Sequence, residues 1–416
     1  IPMLALAIVL SLAYAEQFVQ QKGLFEDRSC TARSPVVFIP GLMASIIESK
    51  IYVAKTYKPW PSSVLCKRNK DWFRNWVDTN IAMPWASECY LNYLSGVWNN
   101  NTKRLETIPG IQLRIPKFGS TYACDQLLPV PVVGLLSNSF HSLIEHLKKL
   151  GYKDEFDMFG APYDWRSLDL PESYFEATRE LILKGFSNTG KKVVLISHSM
   201  GGLVSYKLLD FLGKDFCDKY VQKWIPISAP FIGTGMAPKQ LLVGENLGLP
   251  ISEKYVKQLS RSLESVVALS PIADKWSDED VFASVKSTGK KYTAKDLKEL
   301  YRQIPVTREM SDYVLDNEMA PLYRKYNWTV PHGVKMDCVY SHGVETPLSV
   351  EFETEDLSGK YTVIKSDGDQ LVNLKSLKSC KMFTESSIDV GKYGHLAILN
   401  AAETWKYIHP KVCEND

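Results

Sequence analysis

The sequence has almost no excess charge. Its 49 Lys and Arg stand against 47 Asp and Glu, a net of +2 over 416 residues, and no run of like charge interrupts the mixture. A polyanion binder needs a basic stripe to displace counterions, so nucleic acid is excluded as a partner. The eight cysteines include no Cys-x-x-Cys pair. Zinc sites are built from such close doublets, so no metal is expected, and no other cofactor is either. Beyond the first fifteen residues no apolar run is long enough to cross a bilayer. Internal repeats and low-complexity tracts are also lacking. What remains is 45% apolar and 23% charged residues, the balance of a chain with a large packed core, neither disordered nor fibrous.

Leu4 to Leu12 is nearly unbroken apolar sequence ending at Ala13-Tyr14-Ala15, the small-x-small pattern at which a signal peptidase cuts. Residues 1–15 therefore read as a signal peptide, and residues 16–416 as a soluble protein of the secretory pathway. In that oxidising compartment an even cysteine count implies disulfides. The sequons Asn100-Asn101-Thr102 and Asn327-Trp328-Thr329 fit a glycosylated lumenal chain.

Four short apolar runs read as buried strands: Val36–Ile39, Val193–Ile196, Trp224–Ile227 and Tyr361–Ile364. After Ile196, Leu203, Val204, Leu208, Phe211 and Leu212 fall on one helix face. Runs apolar on both faces and alternating with helices predict a mostly parallel sheet covered on both sides. Two segments break the rhythm. Residues 60–98 hold five of the ten tryptophans; residues 232–335 are polar, Gly- and Lys-rich, with helical stretches such as 294–302. Both are expected as additions over the sheet's active edge, where loops carry function.

The chemistry is written in Val193 to Leu203, VVLISHSMGGL. A buried strand enters Ser197-His198-Ser199-Met200-Gly201 and an amphipathic helix leaves it, the context of a G-x-S-x-G nucleophile elbow and an α/β-hydrolase fold. Ser197 replaces the first glycine and keeps the small volume that the tight turn demands. Ser199 is the expected nucleophile, and a serine needs a base to take its proton. In this fold the order is serine, acid, histidine. His141, His146 and His198 fall too early. His395, in a loop opening onto the helical run 396–408, hangs where the base must, ahead of His332, His342 and His409. Two carboxylates compete for the acid, Asp367 and Asp369, on the turn after Ile364. An EF-hand is rejected for that stretch, because its glycine is misplaced and Lys378 stands where glutamate is required. For the oxyanion, Pro40-Gly41-Leu42 offers the Leu42 N–H beside that of Met200.

These residues carry a family resemblance. Pro40-Gly41-Leu42, Ala161-Pro162-Tyr163-Asp164-Trp165-Arg166, the His-Ser-Met-Gly-Gly elbow, Ser228-Ala229-Pro230, Gly368-Asp369 with Val372, and Gly394-His395 together resemble the lecithin:cholesterol acyltransferase family, which includes lysosomal phospholipase A enzymes. The resemblance implies Asp369 as the acid and disulfides Cys66–Cys89 and Cys338–Cys380. It also implies a membrane-binding subdomain at about 60–98, a lid loop at 232–249 and a cap through about 335. The Tyr-Asp-Trp-Arg stretch reads as scaffold. Leu42 is apolar where an acidic side chain could tune pH dependence, so an acid optimum is not assumed.

The expected activity is hydrolysis of a glycerophospholipid acyl ester through a serine acyl-enzyme, with transfer to water or a lipid alcohol. The expected partner is a phospholipid membrane or lipoprotein surface, and the location secreted or lysosomal. Trp72, Phe73 and Trp76 are the interfacial candidates, since tryptophan favours the lipid–water boundary. The rival expectations are an esterase or thioesterase acting on soluble substrates and a non-catalytic lipid-binding protein of the same fold.

Overall fold

The computed structural model describes residues 30, 32–58, 60–61, 65–83, 86–127, 139–246 and 251–414. The expected signal peptide lies outside them, as do residues 247–249 of the expected lid. Six strands form the central sheet: β1 Val36–Ile39, β2 Met158–Gly160, β3 Val193–His198, β4 Val221–Ile227, β5 Cys338–Tyr340 and β6 Ser387–Asp389. Their spatial order is β2-β1-β3-β4-β5-β6, and every pairing is parallel.

Alternate side chains of these strands point to opposite faces, and both faces are covered. Val37, Ile39, Val193, Leu195 and Trp224 pack into one apolar cluster with Phe175 and Ile182 of helix Glu172–Thr189 and Leu203, Val204 and Leu208 of helix Gly201–Leu212. Val36, Phe38, Val194, Ile196, Ile225 and Ile227 join a second cluster with helices His141–Lys149 and Ala402–Val412. This is the doubly covered parallel sheet of an α/β-hydrolase.

The Tyr361 run departs from the expected core strand. Tyr361–Gly368 is an outer strand of a separate four-stranded sheet, antiparallel to Val344–Phe352, and of its eight residues only Gly368 is buried. Its Lys, Ser, Asp and Thr side chains leave too little apolar surface for a two-sided core position. The sheet's fifth place is taken by the fully buried Cys338–Tyr340.

Residues 47–114 build a small antiparallel unit on the side of the sheet. Strands Ile47–Tyr52, Asn69–Trp76 and Ile111–Arg114 form one sheet, Gly96–Asn99 and Arg104–Thr107 a hairpin, and helix Ser87–Leu94 lies among them. The disulfide Cys66–Cys89 sits in its own apolar cluster with Ile51, Val53, Tyr93 and Ile111. Residues 232–335 are mostly short helices. A second disulfide, Cys338–Cys380, ties β5 to the segment after Asp369. A third, Cys30–Cys413, joins the two ends of the described chain beside a short Ala32–Arg33 pairing with Cys413–Glu414.

Candidate active site

Ser199 stands at the C-terminal end of β3, where ligands gather on an open parallel sheet. The chain reverses there into helix Gly201–Leu212 with Ser199 at φ 54°, a strained conformation for a side chain other than glycine. Its N–H donates to the Ile227 carbonyl on β4 at 2.8 Å, which fixes the turn to the sheet. The turn leaves no room behind it: a Cβ on Gly201 would lie 2.2 Å from the Ile39 carbonyl oxygen, and one on Gly41 would lie 2.9 Å from the Ser199 Cβ. These two glycines let the β1 loop and the elbow touch. The Leu42 and Met200 N–H groups make no backbone hydrogen bond among the described residues.

The Tyr-Asp-Trp-Arg stretch buttresses that loop. Tyr163 donates its hydroxyl to the Pro40 carbonyl at 2.8 Å, and the Trp165 indole donates to the Ser45 carbonyl at 3.1 Å. Arg166 is buried in a forked pair with Asp164.

Asp369 and His395 meet although they lie 26 positions apart in sequence. His395 Nδ1 lies 2.7 Å from Asp369 Oδ2, and its backbone N–H donates to the Asp369 carbonyl at 2.6 Å. Asp369 Oδ1 accepts the Leu371 and Val372 N–H groups at 3.1 and 2.8 Å, so the buried carboxylate is fully partnered. Asp367, its competitor, turns outward to the Gly343 N–H and to His342. His332 faces the Tyr326 hydroxyl and His409 packs on Trp405.

Ser199 and His395 open onto one cavity of about 140 Å³. Its walls are overwhelmingly apolar. Leu42 and Met43 come from the β1 loop, Trp76 and Leu91 from the 60–98 segment, and Met236, Leu259, Leu263 and Val266 from the 232–335 segment. Both insertions therefore roof the active edge. The Gly-rich stretch expected as a lid contains a buried helix, Met236–Leu242, in that wall.

The three residues expected at a membrane separate. Trp76 is a correction: it is wholly buried, donates its indole N–H to the Met43 carbonyl at 2.6 Å and crosses Trp165 edge-on at 5.4 Å. Its strand starts in solvent and runs inward, so its last two residues are buried. Trp72 is half-buried beneath the Arg114 guanidinium at 4.2 Å, and Phe73 packs on Tyr90 and Tyr93. Sequence reasoning missed Trp76 and Leu91 as cavity wall, because clustered aromatics look alike whether they face lipid or core. It also passed over His198, whose ring lies against that of His395.

Fold and site together define a serine α/β-hydrolase with an apolar cleft. The lecithin:cholesterol acyltransferase sequence family matches residues 72–336. The human lysosomal phospholipase A and acyltransferase is 30% identical over 83% of this chain and 81% of its own length. The human phosphatidylcholine-sterol acyltransferase is 27% identical over 84% and 76%. The crystal structure of the Tle4–Tli4 complex shares the fold, with a TM-score of 0.52 and 14% identity over 90% of this chain and 96% of that one. The chain belongs to the lecithin:cholesterol acyltransferase family.

Proposed function

We propose that this protein cleaves a fatty acyl ester of a glycerophospholipid through an acyl-enzyme on Ser199 and passes the chain to water or to a lipid alcohol. Ser199 Oγ attacks the ester carbonyl while His395 takes its proton. Asp369 holds the imidazole in the required tautomer and offsets the charge it gains. The oxyanion lies between the Leu42 and Met200 N–H groups, each such donor being worth ~2.7–4 kcal/mol. Collapse breaks the ester C–O bond, His395 returns the proton to the leaving lysophospholipid oxygen, and acyl-Ser199 remains. Water or a lipid hydroxyl then attacks, and the same steps run in reverse.

One observation carries the reading: Ser199 and His395 share an apolar cavity, with His395 held 2.7 Å from a buried carboxylate. Such walls favour a long acyl chain over a soluble acyl group. The relatives' names, a phospholipase A and acyltransferase and a phosphatidylcholine-sterol acyltransferase, support a phospholipid donor and both kinds of acceptor.

In the same reading the 60–98 segment docks on a phospholipid membrane or lipoprotein surface through Trp72 and Phe73, while the buried Trp76 takes no part. Residues 232–335 act as lid and cap. Asn100 and Asn327, both exposed, carry glycans. Three disulfides fit passage through the secretory pathway to a lysosome or out of the cell.

The test incubates the protein with phosphatidylcholine vesicles, with and without sterol or ceramide, and identifies the acyl products. Ser199→Ala is expected to lose both free fatty acid and transferred ester. Persistent product from that variant would move the active site elsewhere.

A further inference from the structure

His198 makes an interaction that the proton-transfer scheme does not use. It ends β3, one residue before Ser199, and is buried. Its Nε2 lies 2.8 Å from the backbone carbonyl oxygen of His395. The two rings stand 4.7 Å apart between centroids, and Phe140 closes the far side edge-on at 6.5 Å. A carbonyl oxygen only accepts, so Nε2 carries the hydrogen and donates. Burial first, and the neighbouring His395 second, hold the His198 imidazole well below its ordinary pKa, so the ring is neutral with its proton on Nε2. A neutral neighbour is also what the site requires: a cation there would oppose the imidazolium that forms on His395 as Ser199 gives up its proton.

The geometry points to His198 as a positioning residue: its Nε2–H, donated to the His395 carbonyl, fastens the histidine loop to the nucleophile elbow so that base and nucleophile share one rigid support. The His395 backbone is then held from both sides, its N–H by the Asp369 carbonyl and its C=O by His198. Without the second tie the loop keeps its acid but loses its register against Ser199. A displacement of that kind, small as it is, slows chemistry and leaves substrate binding intact. The inference rests on His395 as the base, and its test separates the two.

His198→Gln keeps an amide N–H at the reach of Nε2, whereas His198→Met fills a similar volume with no donor. Turnover and KM are measured on phosphatidylcholine vesicles, with His395→Ala run in parallel. The Met variant is expected to lose about 10- to 100-fold in kcat with KM unchanged, and the Gln variant to recover most of it. Wild-type kcat in His198→Met, or equal losses in both variants, would overturn the role. Activity surviving in His395→Ala would instead remove the base assignment. If the Met variant does not fold, ¹⁵N-histidine spectra of the wild-type protein decide. A hydrogen on Nε2 of His198, bonded to the His395 carbonyl, is expected, and an Nδ1–H tautomer, which leaves Nε2 with nothing to donate, contradicts the role.

Discussion

Asp369 uses both of its carboxylate oxygens. Oδ2 faces His395 Nδ1 while Oδ1 is bound by two backbone N–H groups, so the group cannot rotate without breaking hydrogen bonds in a buried site. The same logic governs Trp76, whose indole N–H is engaged by the Met43 carbonyl, whose ring packs on Trp165 and which lines the cavity. Trp76→Ala is therefore expected to cost about 3–5 kcal/mol of unfolding free energy, read by denaturant titration, with little change in vesicle affinity. Lost vesicle binding at unchanged stability would return Trp76 to the membrane surface. At this scale the sequence was most informative where chemistry restricts residue type. The elbow's glycine has no space for a side chain, and the order of serine, acid and histidine along the chain leaves few candidates. Choosing Asp369 over Asp367 took the family resemblance, because both follow the same strand and only the folded turn shows which one faces inward.

Among the elements, the helix Glu264–Ala268 anchors the 232–335 segment to the loop after β2. Glu264 accepts hydrogen bonds from the Ser167 hydroxyl at 2.7 Å and the Leu168 N–H at 2.5 Å, while Ser265 N–H donates to the Arg166 carbonyl. Burial, and then the Glu318 carboxylate, push the Glu264 carboxyl up to about 8; the Lys207 ammonium, which draws it down, pairs with Glu318. A carboxyl whose folded pKa is raised binds its proton more tightly in the folded state. Its contribution to stability is thus complete below the unfolded value near 4.5, declines as pH rises and is gone above about 8. Thermal melts across that window should fall with pH in the wild type and fall less steeply in Glu264→Gln; equal slopes would place the proton elsewhere.

The elements themselves were unevenly legible. Three of the four apolar runs became central strands because they are hydrophobic on both faces. The Tyr361 run went to an exposed edge strand because its polar side chains decide, and β2 and β6 are three residues each, too short to carry a period.

Across the whole molecule, Cys30–Cys413 closes a long loop of chain, the paired positions lying 383 apart in sequence. Replacing both cysteines with serine is expected to lower unfolding free energy by about 2–5 kcal/mol through the gain in unfolded-chain freedom, leaving kcat unchanged because neither cysteine lines the cavity. A changed kcat at equal stability would show that the termini reach the site. This pairing was beyond sequence reasoning, since cysteines at opposite ends of a chain carry no spacing signal. The unity of the site rests on the same long-range closure: β1, β3, the two insertions and a loop near residue 395 converge on one cavity. The most direct test of that convergence is acid-quenched incubation with phosphatidylcholine followed by peptide mass mapping. A fatty acyl adduct is predicted on Ser199; an adduct on another residue, or continued turnover with Ser199 replaced by alanine, would contradict the account.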